Sequence, residues 1–304
     1  RQKYGAKRAY VDSKKLLDDP EVDAVYIASP VVVHAKQAME AADTGKHILI
    51  EKPLALSSRE GEEVLEYCER KGVKIAVGFM MRFGTHVQAM KRAISKGLIG
   101  DIVSAYAQFS CWYPEIPGSW RQSKASGGGG ALMDMGIHCI DLIQYITNSR
   151  VRQVAAFNDT LTFSYDVEDS STVLLRLENG AQCAVQSNFN IPDEAAKWRL
   201  EIFGTRGRLL GDAVIGQIDG GKVDAMFLEN VEEYNAYQDK VDLGSSNWNQ
   251  DIEFGNMYTR EIESFSDSIL NGTPLEVPAA DAIQVQKVIE AAYQSNKEKV
   301  IIDL

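Results

Sequence analysis

The sequence predicts two domains of different class: a doubly wound α/β domain, then an α+β domain built on one large, mostly antiparallel sheet. Three observations carry that prediction. The chain has 304 residues, more than a single ordinary core holds. Its first quarter alternates short apolar runs with helix-length patterns, the signature of a parallel sheet covered on both faces. Strands dominate from about residue 100 onward, and two of them are joined by Asn179-Gly180, a hairpin-turn dipeptide.

The elements follow in order. Ala9-Tyr10-Val11 reads as a short strand, and Ser13 as the cap of a small helix over 14–18. Asp23 to Ala28 is a buried strand ending at Ser29-Pro30. A helix over 33–44 stops at Gly45, in the position that ends helices. A strand over 47–51 follows, then a helix capped by Ser57-Ser58 and closed by Gly72, then a strand over 74–77. The domain boundary is placed here: 1–84 for the first domain, 85–304 for the second, with the last helix allowed to pack back on the first. In the second domain Val87, Met90, Ile94 and Leu98 share one face of a helix over 85–96. Strands are expected over 101–112, 151–158, 170–177, 181–189, 197–204 and 207–211, with a closing strand at 300–302. Helices are expected over 128–147, 257–270 and 280–296. The stretch 213–250 is rich in Gly, Asp and Asn and carries no assignable period.

Composition narrows the function. Hydrophobic residues at 45% and charged residues at 25% are those of a globular protein. A net charge of −11 argues against a nucleic-acid partner, since phosphate binding needs basic patches. No apolar run reaches the length of a membrane span. Four widely spaced cysteines, Cys68, Cys111, Cys139 and Cys183, form no CxxC pair; they argue against a metal site and fit reduced thiols in a cytoplasmic protein. The chain opens Arg1-Gln2-Lys3-Tyr4-Gly5 without a Met, and is read as a fragment or processed form.

Two constellations carry chemistry. The first is Ile48-Leu49-Ile50-Glu51-Lys52-Pro53, an apolar strand that runs into a charged pair and a proline. Open α/β sheets bind ligands at the carboxyl ends of their strands, and a Lys there can bind a substrate oxygen or move a proton. A surface ion pair at a strand end fits the same letters. The second runs from four glycines, 127–130, through Asp134 to His138 and Asp141. Glycines free the backbone where a helix begins, one use being close approach to a ligand. Asp134 and His138 lie at i and i+4, so they share a face, and an imidazole held by a carboxylate suits acid–base work near neutral pH. A capped, satisfied His on a half-buried helix is the alternative.

Taken together, the motifs resemble the glucose–fructose oxidoreductase / inositol dehydrogenase (Gfo/Idh/MocA) family. They include Ser29-Pro30 with His34, Gly45-Lys46-His47 before Glu51-Lys52-Pro53, Val77-Gly78-Phe79-Met80-Met81-Arg82-Phe83, and Gly97-Leu98-Ile99-Gly100. Ser119-Trp120-Arg121, Glu201 to Gly207 and Ala291-Ala292-Tyr293-Gln294-Ser295 complete the order. The resemblance implies a Rossmann-like first domain and hydride transfer between NAD or NADP and a carbinol carbon of a sugar, polyol or sugar derivative. Lys52, His138 and Asp134 would be catalytic: Lys52 on nicotinamide ribose and substrate hydroxyl, His138 as proton acceptor, Asp134 orienting substrate or His138. Ser29, Pro30, His34, Glu51, Lys52, Arg82, Trp120 and Arg121 would line the cofactor. Arg82 could equally pair with an acid, and Trp120 could be core packing. The family's Gly-rich turn, GxGxxG, is absent, so the first βαβ unit is missing and cofactor binding is expected to be impaired. Two other readings of the resemblance are an NAD-dependent glycosidase with a retained cofactor and a non-catalytic relative that binds dinucleotide or sugar. A homodimer or homotetramer is expected, since a one-sided antiparallel sheet leaves an apolar face to cover. No metal, membrane or nucleic-acid partner is expected.

Overall fold

A computed structural model describes Lys3, residues 5–230, Trp248 and residues 252–304. The chain divides into two compact units: Arg1–Gly78 with Ile262–Ile283, and Phe79–Glu261 with Gln284–Leu304. The division after Gly78, rather than after residue 84, assigns the turn Met80–Phe83 to the second unit. The first unit also takes in a segment from near the end of the chain.

In the first unit, helix α1 (Ser13–Leu17) is followed by β1 (Ala24–Ile27), α2 (His34–Asp43), β2 (His47–Glu51), α3 (Ser58–Lys71) and β3 (Ile75–Gly78). The three strands form a parallel sheet in the order β1-β2-β3, with Ile27 opposite Ile50 and Ile50 opposite Val77. β2 is central, and its Ile48, Leu49 and Ile50 are buried, which is why it reads as an unbroken apolar run. Ser57 caps α3 by accepting a hydrogen bond from the Glu60 amide, and Gly72 closes it in the left-handed conformation at φ 68°.

Two local expectations are corrected here. The N-cap of α1 is Asp12, whose carboxylate accepts from the Lys14 amide, and Ser13 is the first helical residue. Both residues are good caps, and the carboxylate one position earlier wins. Ala9–Val11 forms no strand: Arg8 and Tyr10 both donate to the Asp19 carboxylate, so side chains rather than a ladder hold this segment.

The second unit holds α4 (Thr85–Ser95), β4 (Ile102–Ser110), α5 (Lys124–Gly127), α6 (Ile137–Thr147), β5 (Val151–Asp159), β6 (Ser170–Leu177), β7 (Gln182–Asn188), β8 (Arg199–Gly204), β9 (Gly207–Asp212) and β10 (Lys222–Phe227). Helices α7 (Met257–Asn271) and α8 (Ala279–Glu298) each begin in one unit and end in the other, and β11 (Ile302–Asp303) closes the chain. Phe265 and Ile269 of α7, with Leu275, pack on Leu49 and Ala76 of the first sheet.

Among the described residues the second sheet has eight strands in the order β10-β9-β8-β4-β7-β6-β5-β11. Every pairing is antiparallel except β4 with β7. β6 and β7 are the hairpin that Asn179-Gly180 predicts, with Gly180 at φ 89°. β10 lies in the stretch left unassigned by pattern; residues 231–247 and 249–250 of that stretch lie outside the described residues. Alternation buries Val173, Leu175, Val185, Leu200 and Ile202 on one face, and Ile140, Leu142 and Ile143 of α6 are buried with them.

The helix expected over 128–147 is two structures. A π-helical turn, Leu132–Gly136, precedes α6. Its last residue sits flush against β7: a Cβ on Gly136 would come within 2.8 Å of Ser187 Oγ. Only glycine allows that close approach.

Candidate active site

The first unit gathers several of the predicted site residues at the carboxyl ends of β1 and β2. Ser29-Pro30 follows β1, and Glu51-Lys52 ends β2. His34, at the start of α2, ties the two turns together. Its Nδ1 lies 2.9 Å from the Pro53 carbonyl oxygen and its Nε2 lies 2.9 Å from that of Ser29. The ring is 1% exposed, so it supports the turns from behind. Ser29 Oγ donates to Gln37 Oε1 at 2.6 Å. The Tyr26 hydroxyl donates to Glu51, and Gly78 on the next strand leaves room beside that carboxylate, where a Cβ would fall 3.2 Å from Oε2. Lys52 is half-buried beside it.

The second unit carries His138, Asp134, Arg82, Trp120 and Arg121. His138 is the second residue of α6 and is 3% exposed. Phe79 meets its ring edge-on at 5.7 Å and Phe109 at 6.3 Å. Asp134 sits in the π-helical turn and pairs with Arg121 at 3.5 Å, both partly exposed. Arg121 in turn lies over the Trp120 ring, 4.4 Å from its centroid. Trp120, Arg121 and Asp134 are therefore one group. The wider helical turn at 132–136 changes the angle between Asp134 and His138 from the regular i, i+4 geometry.

Arg82 is buried and bound to an acid. Its Nε donates to both Asp141 oxygens at 3.1 and 3.0 Å, and its terminal nitrogen to Oδ1 at 2.6 Å. The guanidinium lies over the Tyr145 ring at 4.7 Å. Asp141, which shares the face of α6 with His138, thereby joins the turn 80–83 to the helix.

The glycine run has a structural account. A Cβ on Gly129 would fall 1.9 Å from the Tyr293 hydroxyl, and one on Gly130 would fall 2.0 Å from the Glu168 carbonyl oxygen. These two glycines are shaped to protein neighbours. Glu168 and Tyr293 are the residues that sequence reasoning missed. Glu168 Oε1 accepts from the amides of Gly130 at 3.0 Å and Leu132 at 2.9 Å and from the Tyr293 hydroxyl at 2.9 Å. Burial raises the Glu168 carboxyl above its ordinary range, against the pull of these donors. Burial likewise raises the Tyr293 phenol, and the neighbouring Glu168 adds to it.

Beyond Phe109 stands Trp198, ring centroids 6.2 Å apart, its indole nitrogen donating to the Ser110 carbonyl at 2.7 Å. Its φ of 50° is unusual for so bulky a residue and marks a locally constrained backbone. Among the described residues no cluster of His, Cys, Asp and Glu is arranged to hold a metal ion, and no helix is long and apolar enough to cross a membrane.

Residues 1–79 match the oxidoreductase family with an NAD-binding Rossmann fold, and residues 87–210 match the GFO/IDH/MocA C-terminal domain. The uncharacterized oxidoreductase YrbE of Bacillus subtilis is 31% identical, over 93% of this chain and 79% of its own length. The chain belongs to the GFO/IDH/MocA family. The myo-inositol 2-dehydrogenase of Thermotoga maritima is 27% identical, covering all of this chain and 86% of its own. A levoglucosan dehydrogenase solved with NADH and levoglucosan superposes with a TM-score of 0.86 at 26% identity, over all of this chain and 85% of that one.

As a GFO/IDH/MocA oxidoreductase, the chain is an NAD(P)-dependent enzyme whose first unit is the Rossmann-type part. The residues present there fit a nicotinamide ribose: an acidic acceptor for hydroxyls at Glu51, an ammonium donor at Lys52, and Gly78 without a side chain alongside. No pattern in the sequence marked Glu168 for its role, since it lies 36 to 38 residues from the amides it binds. Tyr293 stood in view only as part of the Ala291–Ser295 motif.

Proposed function

We propose that this oxidoreductase transfers hydride between NAD(P) and a carbinol carbon of a sugar, polyol or sugar derivative. The observation that carries the reading is His138, a buried imidazole held edge-on between Phe79 and Phe109 at the start of α6. Oxidising an alcohol releases the hydroxyl proton as hydride leaves, and an imidazole is a group suited to take it. The two flanking phenyl rings keep water from the imidazole. Lys52 donates to the substrate hydroxyl and to the nicotinamide ribose, stabilising alkoxide charge as it develops. Asp134, with Arg121 as its partner, orients substrate hydroxyls. Bound NAD(P) supplies the hydride acceptor. The Ser29-Pro30 turn and Glu51 contact it, with His34 and Arg82 supporting from behind, while Trp120 and Arg121 cover it.

The half-exposed Trp198 supports a carbohydrate substrate, since a sugar ring presents C–H groups that stack on an aromatic face. The relatives named for myo-inositol and levoglucosan point to the same class. The test is a titration of the protein with NADH and NADPH, followed by initial rates of nicotinamide reduction on a panel of inositols, aldoses and anhydrosugars. Dinucleotide binding weaker than an intact Gly-rich turn would give is expected, with turnover of at least one of these. Absence of binding by either dinucleotide, both in this chain and in one preceded by a Gly-rich βαβ unit, would overturn the reading.

The outward face of the second sheet supports a homodimer or homotetramer. Phe157 of β5, Leu174 of β6 and Phe203 of β8 stand exposed there at 68%, 55% and 37%. A light-scattering mass of two or four chains is expected, and Leu174→Asp should lower it. A mass equal to one chain for the wild type would contradict this assembly.

A further inference from the structure

The segment that carries Asp134 and His138 has no cap of its own. Neither the turn Leu132–Gly136 nor α6 has a side-chain hydrogen bond at its N-cap. The first amides of such a segment have no partner within it and must find one elsewhere. Here three successive amides are taken by one residue: Gly130 and Leu132 donate to the Glu168 carboxylate, and Ala131 donates to the Glu168 carbonyl oxygen at 2.9 Å. A carboxylate is also the group that a helix N-terminus stabilises. Tyr293 of α8 donates to the same carboxylate oxygen and fixes where it sits. The backbone is moulded to both partners, since neither Gly129 nor Gly130 has room for a Cβ.

We propose that Glu168 and Tyr293 are positioning residues for the reaction: they set the start of the π-helical turn, and through it the placement of His138, while touching neither substrate nor cofactor. The inference rests on the role proposed for His138. A π-helical turn is a rare geometry with a hydrogen-bond pattern unlike that of the helix that follows it. Gly136 against Ser187 holds one end and Glu168 holds the other. A displacement of about 1 Å in a reacting group can cost on the order of 100-fold in rate.

The test uses Tyr293→Phe, which removes one hydroxyl, and Glu168→Gln, which removes the charge and keeps the shape. Both should lower kcat by roughly 10- to 100-fold, with KM and dinucleotide affinity within about two-fold of wild type. The primary deuterium isotope effect on kcat should rise as hydride transfer becomes slower. Independently of turnover, the ring nitrogen resonances of His138, assigned by comparison with His138→Gln, should shift in Tyr293→Phe. Should Glu168→Gln fail to fold, Tyr293→Phe decides alone. Unchanged kcat and unchanged His138 resonances, with only a lower Tm, would reduce the pair to a structural cap and overturn the proposal. If the wild type turns over no sugar or polyol, the proposed function fails instead, and the His138 resonances still decide whether Glu168 and Tyr293 position the ring.

Discussion

Arg82 grips Asp141 through three hydrogen bonds, and neither side chain is more than 4% exposed. The pair joins the turn after β3 to the middle of α6, three residues beyond His138. Breaking such a pair from one side leaves a buried charge without its counter-ion. Asp141→Asn should therefore destabilise the second unit by about 3–5 kcal/mol, read as a lower midpoint in urea. Arg82→Met combined with Asp141→Leu should cost less than either single change. A double variant as unstable as the worse single one would show that the loss comes from packing rather than from charge.

His138→Asn and Lys52→Ala test the chemistry directly. Removing a proton acceptor costs typically 10²–10⁴-fold, so kcat should fall by roughly that factor in His138→Asn. Lys52→Ala should lower kcat/KM strongly and weaken dinucleotide binding. Circular dichroism and Tm should stay near wild type in both. Near-normal turnover in either variant would remove that residue from its role.

Asp219 gives the second unit a dependence on acid. Burial opposes its charged form, but Thr85 donates from its hydroxyl and amide, Gly255 donates its amide, and Arg260 pairs with it at 3.0 Å. The donors win, and the carboxyl is held below its ordinary value of 3.8. A carboxyl held low in the folded state binds fewer protons there than in the unfolded chain. Its stabilisation is present above pH 3.8 and is lost as pH falls through the depressed value. Asp219→Asn should cost about 1–3 kcal/mol at pH 7, and the gap to wild type should close in acid. A gap that stays constant down to pH 2 would refute the ionic origin.

The four thiols should be inert in the native protein. Burial pushes Cys68 and Cys183 up to about 11 and Cys111 up to about 12, and raises Cys139 as well. The thiolate is the nucleophile, so little of it exists at pH 8. Reaction with a thiol reagent should be slow until denaturant is added, when all four should titrate. A fast stoichiometric phase without denaturant would mean that one of them is accessible and activated.

Local chemistry was readable and long-range chemistry was not. Ser57 and Gly72 announced α3, the apolar run at Ile48–Ile50 announced the central parallel strand, and Asn179-Gly180 announced the β6–β7 hairpin. Ser13 is not the cap because Asp12 beside it takes that place, and pattern alone cannot rank two capping residues. Lys222 to Phe227 showed no clean alternation and still forms a strand, because its pairing with β9 decides the matter. The regular helix expected over 128–147 missed the π-helical turn, whose causes are Glu168, Tyr293 and Ser187, all distant in the chain. The carboxyl ends of the strands pointed to Glu51 and Lys52, yet nothing local told that His34 would face two carbonyl oxygens.

The parallel pairing of β4 with β7 has a consequence for how this chain is made. β4 lies between β8 and β7, and both neighbours come late: Ser104 faces Gln182 on one side and Phe203 on the other. At a synthesis rate of about 5–20 residues per second, the emerging β4 waits roughly 4–16 s for its first neighbour. Both of its edges stay unsatisfied for that time, the condition in which strands recruit the wrong partner. A sheet closed by such distant pairings also folds slowly once complete, on the order of milliseconds to seconds. The second unit is thus the part of this enzyme most exposed to aggregation at birth, and its yield should respond more to slower, cooler expression than to any change at the active site.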